Sequence, residues 1–473
     1  MKRSADPLWL LAVLVCAGVL LAIGDALAAT ATAAATATAA GRRVSPADGP
    51  LQAVIDAAAP GEVLRLAPGV YAGGVKIDRP LTLAGEPGAV IDGGGQGDVV
   101  RVTAPDVTLS GLGLRNSGRE LGDMNSGVFL QKGADRARVE GCTIEAVAFG
   151  IWLDALDGAR ILNNRITGDA ALRSQDRGNG IHFFSTRHSL AAGNEVGEAR
   201  DGIYIDTSDD NELRDNFLHD LRYGIHYMYA NRNALLGNRT TRTRTGYALM
   251  SSKNLKVIGN RSERDENYGI ALNALNSSEI RDNVVIDVQR GRANPSGARD
   301  AHLPAGASSG PGGAEGKALF VYNSLYNDIR GNVFAGAEIG IHLTAGSEDN
   351  RIHGNAFVAN RTQVRYVAVK TQEWSVDGRG NWWSDYLGWD RNDDGLGDTP
   401  YEPVDGVDRL LWQYPAARVL LASPAVETLR WVQRQFPVLR PQGVRDSHPL
   451  MNPPAAAIPR VASAAPGAHE ATR

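Results

Sequence analysis

A 22-residue period runs through the middle of this chain. Gly180, Gly202, Gly224, Gly246 and Gly269 follow one another at intervals of 22, 22, 22 and 23 residues. Each opens a short stretch such as Gly202-Ile-Tyr-Ile or Gly224-Ile-His-Tyr, and Gly127, Gly150, Gly316 and Gly340 open similar ones on either side. A second landmark keeps step: Asn194, Asn216, Asn238, Asn260 and Asn283, resuming at Asn332 and Asn355, commonly after Gly or Asp. Common helical repeats are longer and carry helical periodicity. A unit this short, built of alternating stretches, fits one coil of three strands and three turns. The fold expected is all-β: a single-stranded right-handed parallel β-helix of roughly 12 coils at ~4.8 Å each. Asn suits a repeated turn because it tolerates left-handed backbone and its amide can bond the same Asn one coil away. Cys142 occupies that column, after Gly141, and reads as a buried structural thiol.

The ends of the solenoid are also legible. Leu51, Val54, Ile55 and Ala58 lie at helical spacing between Pro50 and Pro60-Gly61, a short amphipathic helix that caps the open core. Strands follow around Val63–Leu66, Val75–Ile77, Leu81–Leu83, Val99–Val102 and Val107–Leu109. The β-helix is expected over 45–380, an Asp/Trp-rich closing segment over 381–415, a helix with an extended docking tail over 416–455, and a disordered end over 456–473.

The N-terminus reads as an export signal over 1–28. Lys2 and Arg3 precede the apolar run Leu8–Ile23, and Ala26-Leu27-Ala28 is an A-x-A cleavage site. The run is shorter than the ~20 residues a membrane span needs. Residues 29–44 are expected to be a disordered leader, and the mature chain to be periplasmic. It keeps one cysteine, Cys142, which excludes an internal disulfide or a cysteine metal cluster. A net charge of −4 supplies no basic field for nucleic acid.

In each Gly-led strand the first and third residues after Gly should face the core and the second and fourth point outward. The second-residue column then contains Phe129, Trp152, His182, Tyr204, His226, Ala248, Ala271, Ala318 and His342; the fourth contains Asp154, Phe184, Asp206, Met228, Met250, Asn273 and Phe320. Three insertions, 116–126, 167–179 and 289–315, leave the stack at one corner and should rise along the edge of this floor. His226 and Met228 lie two apart on one strand, and Met250 sits beside Met228 on the next coil. Soft thioethers with imidazole suit Cu(I), so these three form the expected copper site, with His182 two coils away as a second transfer position. His448 and Met451 could join only if the tail crosses the floor. A surface for packing a partner explains the same residues without a metal. From Asp390 the chain reads D-x-N-x-D-G-x-G-D, which puts Asp390, Asn392, Asp394 and Asp398 at positions 1, 3, 5 and 9 of a calcium-like loop, with Gly395 at 6. Position 12 is Tyr401 where an EF-hand has Glu; an Asp-rich turn without metal fits as well.

The closing segment Gly380-Asn-Trp-Trp-Ser-Asp-Tyr-Leu-Gly-Trp-Asp390, continuing through Thr399-Pro-Tyr401, resembles that of the NosD-like periplasmic copper-binding family. So do Leu410-Leu-Trp-Gln-Tyr-Pro415 and Phe436-Pro-Val-Leu-Arg-Pro-Gln-Gly-Val-Arg-Asp-Ser-His-Pro-Leu450. The resemblance spans 45–452. It implies a maturation protein, not an enzyme, that works with an ABC-type membrane transporter (NosF and NosY) and with nitrous oxide reductase or a copper donor. Copper is the implied ligand, and the family brings no catalytic motif to numbered positions. On this reading Val426, Leu429, Val432 and Phe436 form the apolar face of a docking helix, and Pro437, Arg440 and Pro441 an extended run for the transporter; a helix folded back to cap the core is the other reading. The alternatives are a carbohydrate-active β-helix enzyme and a structural or adhesive solenoid. An enzyme needs paired carboxylates, and Asp154 and Asp206 stand two coils apart with Phe184 between them.

Overall fold

A computed structural model describes residues 41–145, 147–290, 315–344, 346–367, 370–404, 407, 414, 420, 423–436 and 442–454. The expected signal, most of the leader, residues 291–314 of the third insertion, Pro437, Arg440, Pro441 and the last residues fall outside these. No helix among the described residues is long and apolar enough to cross a membrane.

The chain winds as a parallel β-solenoid. Each coil adds one strand to each of three parallel sheets. The first sheet runs from Arg42–Val44 to Arg351–His353 and the third from Gly69–Ala72 to Trp382–Trp383, both with thirteen strands. The second, Gly-led sheet runs from Val75–Ile77 to Thr362–Val367 and has twelve. Inside the coils Val, Ile and Leu repeat in register, as in Ile203↔Ile225 and Leu213↔Leu235, and make one continuous core. The expected helix is present as α1 (Leu51–Asp56), with Leu51, Val54, Ile55 and the following Ala58 buried over the first coils. Arg42–Val44, assigned to the leader from sequence, instead pairs with Leu64–Leu66 as the first strand.

The asparagine column is a hydrogen-bonded ladder. Asn164, Asn194, Asn216, Asn238, Asn260, Asn283, Asn332, Asn355 and Asn381 each present Oδ1 to the backbone N–H of the equivalent residue one coil earlier, at 2.9–3.2 Å. Cys142 begins the series through its N–H, and burial pushes its thiol up to about 11. From Asn164 to Asn355 the left-handed residue is the one before the Asn, not the Asn itself: Asn163, Gly193, Asp215, Gly237, Gly259, Asp282, Gly331 and Gly354 all have φ between +53° and +67°. That is why Gly or Asp so often precedes the landmark.

One strand departs from the sequence register. Lys317–Tyr322 pairs so that Leu319 matches Ile270 and Phe320 matches Ala271. Ala318, not Gly316, therefore takes the Gly position, and Phe320 moves into the second-residue column with His342. A small residue is needed there because a Cβ on Gly269 would meet Val285 Cγ1 at 2.2 Å; alanine is the smallest side chain that substitutes.

Trp374, Trp383 and Tyr401 close the far end of the core. Trp383 stacks on Phe357 at 4.3 Å and Tyr401 lies over it at 4.7 Å. The tail after residue 441 was expected to be part of an extended docking run. Instead Val444–Arg445 pairs with Gln372–Glu373, and Val444, Asp446 and Leu450 are buried against the closing segment. Asp446 completes the ladder, accepting from Asn381 N (2.7 Å) and Trp383 Nε1 (2.8 Å). α2 (Pro424–Gln435) thus lies between two segments that both belong to the cap.

Candidate functional site

The Gly-led sheet carries the expected columns in the expected order: Phe129, Trp152, His182, Tyr204 and His226 pair rung by rung. Their rings stack with centroids 6.2, 3.8, 4.8 and 4.5 Å apart. They are not an open floor. Side chains one coil apart cover each other's faces, and His182 and His226 are only 6% and 3% exposed. Tyr223 packs edge-on against His226 at 5.0 Å, and Asn179 stands beside His182. Burial drives the His182 imidazole down to about 3, so it is neutral.

A third column, directly before each Gly, supplies chemistry that the sequence reading missed: Ser126, Phe149, Asp201, Tyr223, Thr245, Tyr268 and Lys317. The Asp201 carboxylate is fully buried, accepts a two-pronged bond from Arg222 (2.8 and 2.7 Å), and lies 3.0 Å from His226 Nδ1. Burial alone would raise its pKa; His226 and Arg222 outweigh that and hold the carboxyl well below the usual range. A buried Asp in a column of aromatic and hydroxyl residues was the available signal.

His226 Nε2 is buried and has no hydrogen-bond partner among the described residues, and the same holds for His182 Nε2. Met228 pairs with Met250 in register, on the strand that holds His226 and the next. Met250 is buried and Met228 half-buried. Beside them Ala248 and Ala271 floor a shallow apolar recess walled by Tyr223, Tyr268 and Phe320. Among the described residues no three His, Cys, Asp or Glu side chains converge as a metal cluster. Any ion held here would depend on thioether sulfur. An imidazole with a bare nitrogen and, two residues along the same strand and its neighbour, an in-register thioether pair are donor types that suit Cu(I) better than zinc or magnesium.

Other expected residues lie apart from this group. His448 is at the cap, 3.1 Å from Ser375 Oγ, and the described tail segment around it pairs with Gln372–Glu373 at the cap. In the Asp-rich loop Asp390 accepts from the backbone N–H of Asp394 and Gly395, Asp394 from Leu396, and Asp398 from Arg391. Asn392 donates to Asp394. These oxygens shape their own turn. Asp154 and Asp206 are separated by Phe184 in register, as expected. The first two insertions meet at Arg119–Asp169 and wall a small, partly open cleft at the corner beside Gly180. On α2, Leu429 and Phe436 are exposed and Val426 and Val432 half-buried, so this apolar face is not absorbed into the core.

The sequence matches the family described as "Periplasmic copper-binding protein (NosD)" over residues 162–388 and a family of unknown function over residues 34–255. It is 54% identical over 415 residues to a Pseudomonas aeruginosa protein named "Probable ABC transporter binding protein NosD", covering 88% of this chain and 93% of that one. A Stutzerimonas stutzeri protein of the same name is 55% identical over 82% of this chain and 87% of its own length. Among solved structures, a DFA-IIIase from Arthrobacter chlorophenolicus A6 superposes with a TM-score of 0.50 at 14% identity, over 70% of this chain and 100% of that one. That likeness shows the solenoid alone. With more than half of the aligned residues identical, over most of this chain and nearly the full length of both named relatives, this chain belongs to the NosD family of periplasmic copper-binding proteins.

Proposed function

We propose that this protein is a periplasmic maturation factor that binds an ABC transporter of the NosF and NosY kind and handles copper for the copper–sulfur centre of nitrous oxide reductase. The observation that carries the reading is the near full-length identity to proteins named as ABC transporter binding proteins. Two features of the fold support it. α2 leaves the cap with Leu429, Trp431 and Phe436 exposed, a surface suited to a partner. His226, Met228 and Met250 form a soft donor group on the Gly-led sheet, with His182 two rungs away as a second stop for the ion. Copper there is cargo: the chain contributes ligands that hold Cu(I) without oxidising or hydrolysing anything.

Docking through α2 is tested by affinity purification of the mature chain co-expressed with its transporter. Leu429→Ser, Trp431→Ser and Phe436→Ser together should abolish co-elution while leaving the thermal midpoint within a few degrees, because none of the three is buried. Retention of the transporter by the triple variant would contradict docking at this face.

A further inference from the structure

We propose that Asp201 is the positioning residue of the copper site: with Arg222 behind it, its carboxylate holds His226 as the tautomer that presents a bare Nε2. The inference deepens the copper reading above and rests on it.

The chemistry follows from donor and acceptor types. An ionised carboxylate only accepts hydrogen bonds, and a neutral imidazole carries one N–H. With Asp201 Oδ2 at 3.0 Å from His226 Nδ1, the proton belongs on Nδ1, and Nε2 is left with its lone pair. That nitrogen is buried and meets no donor among the described residues. A bare buried acceptor is destabilising unless something occupies it. A metal ion is the partner that a carboxylate-oriented imidazole serves best, since the carboxylate fixes the ring and raises its basicity.

Arg222 makes the arrangement sustainable. Its two-pronged bond to Oδ1 and Oδ2, at 2.8 and 2.7 Å, fixes the plane of the carboxylate that faces His226 Nδ1. Tyr204 and Tyr223 pack against the His226 ring at 4.5 and 5.0 Å and hold its plane. His182 provides the internal contrast. Its Nδ1 faces the Asn179 amide at 3.3 Å, a group that can accept or donate, so its tautomer is not fixed. Of the two histidines, only His226 is set by a carboxylate.

The test uses the full mature chain in two measurements. Long-range ¹H–¹⁵N spectra of the metal-free protein read the His226 tautomer, and competition with bicinchoninate reads Cu(I) affinity. The wild type should show Nδ1–H and bare Nε2. Asp201→Asn should shift the population to Nε2–H, because the amide can donate to Nδ1, and weaken Cu(I) roughly 10–100-fold. Asp201→Glu should recover part of that loss. Nε2–H in the wild type overturns the inference even if Asp201→Asn fails to fold. Unchanged tautomer and affinity in a folded Asp201→Asn overturn it while the copper reading stands. A wild type that does not compete for Cu(I) at all overturns the copper reading itself, and with it the role of Asp201.

Discussion

Asn238 sits in mid-ladder, and the structure allows the cost of removing its amide to be worked out. Its Oδ1 accepts from Asn216 N (3.2 Å) and Asn216 Nδ2 (2.8 Å), and its Nδ2 donates to Leu213 O (2.9 Å) and Asn260 Oδ1 (3.0 Å). The residue is fully buried. Asn238→Ala therefore strands the buried Asn216 N–H, at roughly 1–3 kcal/mol, and deprives Leu213 O of this donor, at about 1 kcal/mol more. The expected loss is about 3 kcal/mol, a large share of the ~5–15 kcal/mol available to a folded chain. Asn238→Asp should be at least as damaging, because an ionised carboxylate has no N–H for Leu213 O. Urea unfolding followed by tryptophan fluorescence reads the total, and amide exchange at Asn216 reads the site. A loss below about 1 kcal/mol, or unaltered protection at Asn216, would show that the ladder does not carry the turn.

Further outcomes follow from the cap and the buried carboxylates. A chain stopped after residue 441 loses Val444, Asp446 and Leu450 from the closed end and uncovers Trp374 and Trp383, so it should aggregate and show red-shifted emission; one stopped after 454 should melt like the full chain. Equal melting of the two would refute the clasp. Burial pushes both Asp265 and Asp446 up to about 6 despite their hydrogen bonds. The folded state then binds more protons than the unfolded state between pH of about 4 and 6, so each contributes on the order of 3 kcal/mol that is present at the acidic end and lost as pH rises through that window. Asp265→Asn should flatten this part of the stability–pH curve, and an unchanged slope would assign it elsewhere.

How much of this was legible from sequence depended on the kind of constraint. The 22-residue period fixes coil, ladder and capping helix, because a solenoid repeats one local solution and α1 has a clear apolar face. The left-handed turn residue lies one place before the one the sequence suggests, since Asn is also tolerant of positive φ. The strand after the long insertion lies two residues on from its apparent start because Gly316 looks like a strand opener and Ala318 does not. The alternation rule makes the second-residue column look exposed, because it says which way a side chain points but not what stacks on it. Asp201 and Arg222 carry no signal in that pattern because they precede the Gly that marks each strand. The tail's return to the cap involves pairing between Val444 and Gln372, a long-range contact that leaves no local pattern.

X-ray absorption at the copper edge, on the mature chain loaded with one equivalent of Cu(I), tests the central claim most directly. His226 and the in-register pair Met228 and Met250 predict a first shell containing both sulfur and imidazole nitrogen. In Met228→Leu/Met250→Leu, which keeps the apolar volume, the sulfur contribution should disappear. A first shell without sulfur in the wild type, or one that the double substitution leaves unchanged, would contradict a copper site on this face of the solenoid.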